Sequence, residues 1–428
     1  MNLSIPNEVG RLQSVLLHNP GREVAAMTPD RASENLFYDV VPFEPMVEEY
    51  RRFRKVMEVF SEPVFIRDRL AVELRDEGGL ARRWLVHHGL LAGLHRSKAA
   101  RLHTWLMKAS VEELIQGLVG GREKRSDTLE DYLSGETHDL PPLPNLFFTR
   151  DPGFVIGSDL FISAMAHPVR RREGLLTALA LGAWRLDDQS ITPDTGSIPR
   201  MHMLSGSIEG GDVLVLDGST IVVGLSQRTN PRGVDSLISS LWSRRNGKSN
   251  PPVPHRIILV HLPHQRSMIH LDMVFTLVSS TQALMYRPLF EGVRGVRVTG
   301  VSWENREPPR FYEYDSVFQA LEAAGHPLEP LWGGGGDATV QQREQWMAGI
   351  NVCSLDEGLV IAYKNNPATI QTLAHAGFSI MSDQKVLSSR DLMEKRPLCI
   401  TLPGLELARA GGGLRCMTMP LTRAAVTR

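Results

Sequence analysis

The sequence predicts an α/β protein built from a repeated ββαβ unit, with a block of helices let into it. Three observations lead there. A strand–turn–strand–helix–strand order recurs along the 428 residues. Two of its copies follow glycine-rich entries, Glu209-Gly210-Gly211-Asp212 and Gly334-Gly335-Gly336-Asp337. Residues about 68–137 instead carry leucines at helical spacing and no proline.

The clearest copy starts with the apolar run Val213–Leu216, the tight-turn pair Asp217-Gly218 and a second run, Ile221–Gly224. Val234, Leu237, Ile238 and Leu241 then mark a helix over Gly233–Arg244, and Arg256–His261 reads as a strand. A second copy runs through Asn351–Leu355, Glu357-Gly358, Leu359–Tyr363, a helix over Pro367–Ala376 and the strand Phe378–Met381. A third comprises Gly153–Ile156, Ser158-Asp159, Leu160–Ala164, a helix over Arg170–Ala183 and a strand at Arg185–Asp187. Such repetition implies a ring or array in which each unit buries its face on the next. In the helical block, Leu80, Trp84, Leu85, Leu114, Ile115 and Leu118 supply the apolar face, and a polar stretch over Lys124–His138 leads back.

Composition removes several classes of function. With 47 Lys+Arg against 48 Asp+Glu the net charge is −1, which gives no general attraction to nucleic acid or to anionic membrane. The apolar runs, such as Leu175–Trp184, are too short to span a bilayer, and the N-terminus lacks a signal pattern. Three cysteines without a Cys-x-x-Cys fit a reducing, cytoplasmic setting.

Four segments carry unusual polar residues. In Asn145-Leu-Phe-Phe-Thr-Arg-Asp151 an apolar strand is expected to end in Arg150 and Asp151. Glu209-Gly-Gly-Asp212 precedes a strand, and its glycines allow close backbone approach. In His270-Leu-Asp272 a strand would point both polar residues to one face, pairing a general acid/base with a carboxylate. Gly411-Gly-Gly-Leu-Arg-Cys416 places a cysteine in a loop beside Arg415, whose charge is expected to lower the thiol pKa. Cys353 and Cys399 lie in strand-like runs and read as small core residues. His261 and His264 with His270 offer poor metal-ligand spacing, so no metal is assigned.

With these segments in view, the chain resembles the arginine deiminases of the guanidino-modifying (amidinotransferase-like) superfamily nearly end to end. The resemblance rests on Glu8-Val-Gly-Arg-Leu, Leu36-Phe-Tyr-Asp39, Pro144-Asn-Leu-Phe-Phe-Thr-Arg-Asp-Pro152, Glu209-Gly-Gly-Asp212, Ser226-Gln-Arg-Thr229, His270-Leu-Asp-Met-Val-Phe-Thr276, Arg343-Glu-Gln-Trp346 and the closing Gly-Gly-Leu-Arg-Cys-Met-Thr-Met-Pro. It implies a five-bladed α/β propeller of pseudo-fivefold ββαβ modules. Residues 1–67 and 138–428 would form the catalytic body and 68–137 an inserted helical domain. It further implies Cys416 as nucleophile, His270 as general acid/base and Glu209 as its orienting partner. Asp151 and Asp272 would grip a guanidinium, Asn145, Arg170 and Arg228 would hold the substrate's carboxylate end, and Phe148 would pack on its stem.

The activity so implied is hydrolysis of the small molecule L-arginine to L-citrulline and ammonia through an amidino-thioether on Cys416, with no cofactor. A protonated guanidinium is a weak electrophile, so such chemistry needs carboxylates matching its N–H fork and a thiolate to attack it. The sequence departs from the family at Gly411, where a gating arginine is usual. That leaves open a hydrolase or amidinotransferase for another guanidine, or a non-catalytic arginine-binding relative. A homo-oligomer is also left open.

Overall fold

A computed structural model describes residues 2–426 apart from 187–199, 246–252, 389–394 and positions 38, 77, 125, 127–128, 134, 136, 293–294 and 305–306. Among the described residues the strands form five sheets of three to five strands and one two-stranded ribbon. All five sheets share one pairing pattern, in which a strand has an antiparallel neighbour on one side and a parallel neighbour on the other. Asp159–Ile162 lies between Gly153–Ile156 and Met201–Met203, and Thr220–Leu225 between Val213–Val215 and Arg256–His261. Gln282–Met285 lies between Phe275–Leu277 and Glu329–Trp332, and Leu359–Tyr363 between Cys353–Asp356 and Leu398–Leu402. The fifth sheet joins the two ends of the chain: Leu12–Leu17 is antiparallel to Met419–Arg423 and parallel to Glu62–Phe65.

The hairpin expected at Asp217-Gly218 forms because the Asp217 carboxylate accepts the Ser219 and Thr220 amides at 2.7 and 2.8 Å, an Asx turn. Gly358 serves the equivalent turn with φ of 64°, a conformation glycine enters without strain. The central strands are buried on both faces, as parallel pairing under helices requires. The helix Phe43–Phe60 covers the fifth sheet with Met46, Tyr50, Phe53, Val56 and Met57, spaced three and four apart.

Two predicted strands are corrected. Arg185–Asp187 is no strand: Ala183–Leu186 forms a short 3-10 turn, Asp187 lies outside the described residues, and Met201–Met203 completes that sheet. Phe378–Met381 becomes Ser379–Ser382 at the sheet edge, because Leu398–Leu402 inserts between it and Leu359–Tyr363. The helical block contains helices at Ile66–Glu73, Leu80–His87, Arg96–Lys108 and Val111–Gly120. A reciprocal Ser110–Glu113 capping box starts the last of these. Their apolar faces share one core with Phe161, Leu179 and Trp184 of the first sheet unit. Part of the expected Lys124–His138 stretch lies outside the described residues. Among the described residues, no helix is long and apolar enough to cross a membrane.

Candidate active site

Glu209, His270, Asp151, Asp272 and Cys416, marked in the sequence, converge in a buried cluster. Glu209 precedes the strand Val213–Val215, and its backbone N–H donates to Thr229. Its Oε1 accepts the Ala166 N–H at 3.0 Å, and its Oε2 lies 2.9 Å from His270 Nε2. With Nε2 so held, His270 Nδ1 faces Asp151, 3.6 Å from Oδ1. Gly211 makes this approach feasible, since a Cβ there would fall 2.7 Å from the ring.

Two local expectations are corrected here. His270-Leu-Asp272 is not a strand, because Leu271–Met273 forms a 3-10 turn. The carboxylate bonded to His270 is therefore that of Glu209, and Asp272 turns to the sulfur. Asn145–Asp151 is likewise a chain of turns, pinned where the Arg150 N–H donates to the Cys416 carbonyl at 3.0 Å.

Cys416 Sγ lies 3.8 and 4.0 Å from the two Asp272 oxygens. The segment is anchored upstream by Glu49, whose carboxylate accepts three amides at the start of Leu405–Arg409. It then passes Gly411, with φ of 103° where an arginine would be strained, and Gly412, where a Cβ would strike the Phe148 ring. Arg415 is engaged by other groups: Nη1 donates to Asp272 Oδ2 at 2.8 Å, and Nη2 meets Glu8 at 3.1 Å and the Val213 carbonyl.

Of the four residues expected to bind the rest of the substrate, Arg170 is the most engaged. Its guanidinium bonds Asp151 Oδ2 at 2.6 Å and Glu173 at 2.7 Å. Asn145 donates to the Asn35 carbonyl at 2.7 Å, and Phe148 packs on Phe147. Arg228 is buried, 3.7 Å from Glu209, while its Nε and Nη1 have no hydrogen-bond partner among the described residues. Asp151 Oδ1 is also without one. Buried polar atoms of this kind are costly unless something binds them.

The electrostatics differ from expectation in one respect. Burial, with Asp272 and Asp151 adding their negative charge, pushes the Cys416 thiol well above its ordinary pKa, and Arg415 only partly opposes this. The expected lowering fails because Arg415 is already matched by Asp272 and Glu8. Burial disfavours charge on His270, but Asp151, Glu209 and Asp212 outweigh it and raise its pKa to about 9. Burial likewise opposes ionisation of Glu209, yet His270 and Arg228 hold its pKa down at about 2. These shifts favour a neutral thiol and a protonated imidazole at the pair. Asp151, Glu209 and His270 are close enough to share a metal ion, but Arg170, Arg228 and the imidazolium already balance the two carboxylates.

The profile of the arginine deiminase family matches residues 36–423. This chain belongs to the arginine deiminase family. Among its relatives, the arginine deiminase of Listeria welshimeri is 32% identical over 434 residues, covering 98% of each chain. That of Bacillus cereus is 31% identical over 435 residues with the same coverage. The chain also shares the fold of an amidinotransferase of saxitoxin biosynthesis from Microseira wollei, with a TM-score of 0.52 and 13% identity over all of this chain and 98% of that one. The N-terminal domain of a cyanobacterial arginine dihydrolase aligns with a TM-score of 0.51 and 13% identity over 96% of this chain and 98% of its own. The fold is therefore the mixed α/β fold of this wider group.

Four residues around the cluster were not given a role by sequence reasoning: Glu8, Asp212, Glu173 and Asn351. Asp212 lies inside a motif already marked, and accepts Ser226 Oγ and the Leu271 N–H at 2.7 and 2.8 Å. Glu8 lies within the Glu8-Val-Gly-Arg-Leu motif. Nothing in the local sequence distinguishes the other two.

Proposed function

We propose that this protein hydrolyses L-arginine to L-citrulline and ammonia through an amidino-thioether on Cys416. The observation that carries the reading is the sulfur set 3.8 Å from one buried carboxylate, beside an Asp151–His270–Glu209 chain whose inner Asp151 oxygen is unbonded.

A guanidinium bound between Asp151 and Asp272 would cancel the field that holds the thiol neutral, so substrate itself favours the thiolate. As the substrate binds, the thiol gives its proton to solvent, and the sulfur then attacks the guanidinium carbon, forming a C–S bond as the C=N π bond opens. His270, protonated at rest, gives its Nδ1 proton to the departing nitrogen, and the C–N bond breaks to release ammonia. Neutral His270 takes a proton from water, the hydroxide adds to the same carbon, and the C–S bond breaks; the departing sulfur recovers a proton from the product's hydroxyl, which leaves L-citrulline and the thiol. Glu209 fixes the ring orientation and stabilises the imidazolium through Nε2. No cofactor enters this sequence. The unbonded Nε and Nη1 of buried Arg228 suit a substrate carrying a carboxylate, with Asn145, Arg170 and Phe148 forming the rest of the binding site.

The pairing pattern common to all five sheets supports a pseudo-fivefold propeller, its fifth blade closed by Leu12–Leu17 and Met419–Arg423. Residues 1–67 and 138–428 would form that body, with 68–137 as an inserted helical domain. The three unpaired cysteines support a cytoplasmic setting.

Gly411 favours one second reading. Without an arginine there, the entrance suits a bulkier guanidine such as an N-methylated arginine. Purified protein incubated with L-arginine, agmatine and N-methylated arginines, with ammonia and ureido product measured, tests both. Citrulline from L-arginine, lost in Cys416→Ala, is the expected result. Citrulline retained in that variant would end the covalent route, and ammonia from none of the substrates would point to a binding protein.

A further inference from the structure

We infer that Asn351 is a positioning residue for this chemistry, its carboxamide tying the backbone of the nucleophile to that of the guanidinium-binding Asp272. The inference rests on the reading of Cys416 and Asp272 given above. Asn351 is 1% exposed and touches both partners at once. Its Oδ1 accepts the Cys416 N–H at 3.1 Å, and its Nδ2 donates to the Asp272 carbonyl at 3.0 Å. The two residues it joins lie far apart in sequence, and the Sγ–carboxylate spacing of 3.8 Å depends on their relative placement. Only a side chain that donates and accepts over a short fixed span can make both bonds, and a carboxamide does so without charge.

The surrounding backbone holds Asn351 in place. Its own N–H donates to the Ala348 carbonyl, and Ala348 has φ of 56°, a conformation that a residue with a Cβ holds only against strain. On the other side the glycine run packs directly on the carboxamide, because a Cβ at Gly413 would lie 2.5 Å from Asn351 Cβ and Oδ1. Neither bond reaches a substrate atom, so Asn351 acts through Cys416 and Asp272.

The test uses the full chain and two variants. Asn351→Leu keeps the size and loses both bonds, whereas Asn351→Asp keeps the acceptor for Cys416 N–H and cannot donate to Asp272. Three readouts are taken: kcat and KM with L-arginine, thermal unfolding, and the pH dependence of Cys416 alkylation by iodoacetamide without substrate, followed on the Cys416 peptide. Misplacement of reacting groups by about 1 Å lowers rates by roughly 100-fold. Asn351→Leu is accordingly expected to lower kcat by about 30-fold or more with KM within about three-fold, and to move the alkylation profile. Asn351→Asp should show the same pattern, with the profile displaced to higher pH by its added charge. Turnover within about two-fold of the parent in either folded variant overturns the inference, as does slow turnover with an unmoved alkylation profile. Should Asn351→Leu fail to fold, Asn351→Asp decides alone. A parent chain that makes no citrulline sinks the functional reading, and the alkylation profiles then decide the placement of the sulfur by themselves.

Discussion

Arg170 holds Asp151 by one oxygen and leaves the other free: Nη1 lies 2.6 Å from Oδ2, while Oδ1 has no hydrogen-bond partner among the described residues and faces His270. Glu173 flanks the same guanidinium, its pKa raised to about 7 by burial, against which Arg170 pulls down. Removing one partner of a buried ion pair typically costs about 3–5 kcal/mol, because the other charge is stranded. Arg170→Met is therefore expected to lower the urea-unfolding free energy by that amount. Glu173→Gln should cost under about 1.5 kcal/mol, since this carboxyl is already reluctant to ionise and a carboxamide oxygen still accepts from Arg170. Equal losses in the two variants would contradict this division of roles.

Gly211 and the His270 ring are in contact that no side chain could share. In Gly211→Ala the ring must shift or tilt off Glu209, so turnover of L-arginine is expected to fall by about 100-fold while the protein stays folded. Steady-state kinetics with a circular-dichroism melt checks both parts, and near-normal kcat would show that the ring tolerates displacement.

Acid and base limbs of stability belong to different groups. Glu209, held at about 2 against an ordinary 4.5, adds stability above the ordinary value that is lost as pH falls toward 2. His270, raised from 6.5 to about 9, adds stability present below 6.5 and lost as pH climbs through 9. Asp212, raised from 3.8 to about 7 mainly by burial, contributes below 3.8 and loses that contribution as pH rises to 7. In Asp212→Asn this last decline disappears, so its stability relative to the parent should rise between pH 4 and 7. Urea unfolding at several pH values measures the difference, and parallel curves would exclude Asp212 as the source.

Glu8 connects the N-terminal segment to the Cys416 loop through Arg415 at 3.1 Å and to Arg150 at 3.8 Å. Arg415 in Glu8→Gln would keep Asp272 and lose its second carboxylate, so the Asp272 clamp loosens. We expect a stability loss of about 3 kcal/mol and a fall in kcat of roughly ten-fold. Unchanged kcat in a destabilised variant would confine Glu8 to holding the fold.

The repeat was legible where a tight-turn pair separates two apolar runs, as at Asp217-Gly218 and Glu357-Gly358. It was hidden in the third sheet, whose hairpin turns through Ser279-Ser280-Thr281 without a glycine, and in the fifth, whose strands come from opposite ends of the chain. The polar cluster was legible because Glu209, His270, Asp272 and Cys416 interrupt glycine-rich or apolar surroundings. Asn351 was not, because asparagine before a strand resembles any turn residue and its role depends on partners distant in sequence. The direction of the Cys416 shift was also out of reach: adjacency placed Arg415 beside the thiol, whereas its side chain runs to Asp272 and Glu8.

The pairing of Leu12–Leu17 with Met419–Arg423 bears on how the protein is made. Of the five side chains proposed to do the chemistry, Cys416 comes last in the sequence, and the strand just after it docks on Leu12–Leu17. A chain translated only as far as Asp272 therefore carries both aspartates, the glutamate and the imidazole but lacks the proposed nucleophile. On the proposed mechanism, reactivity arrives with the same segment that pairs with Leu12–Leu17.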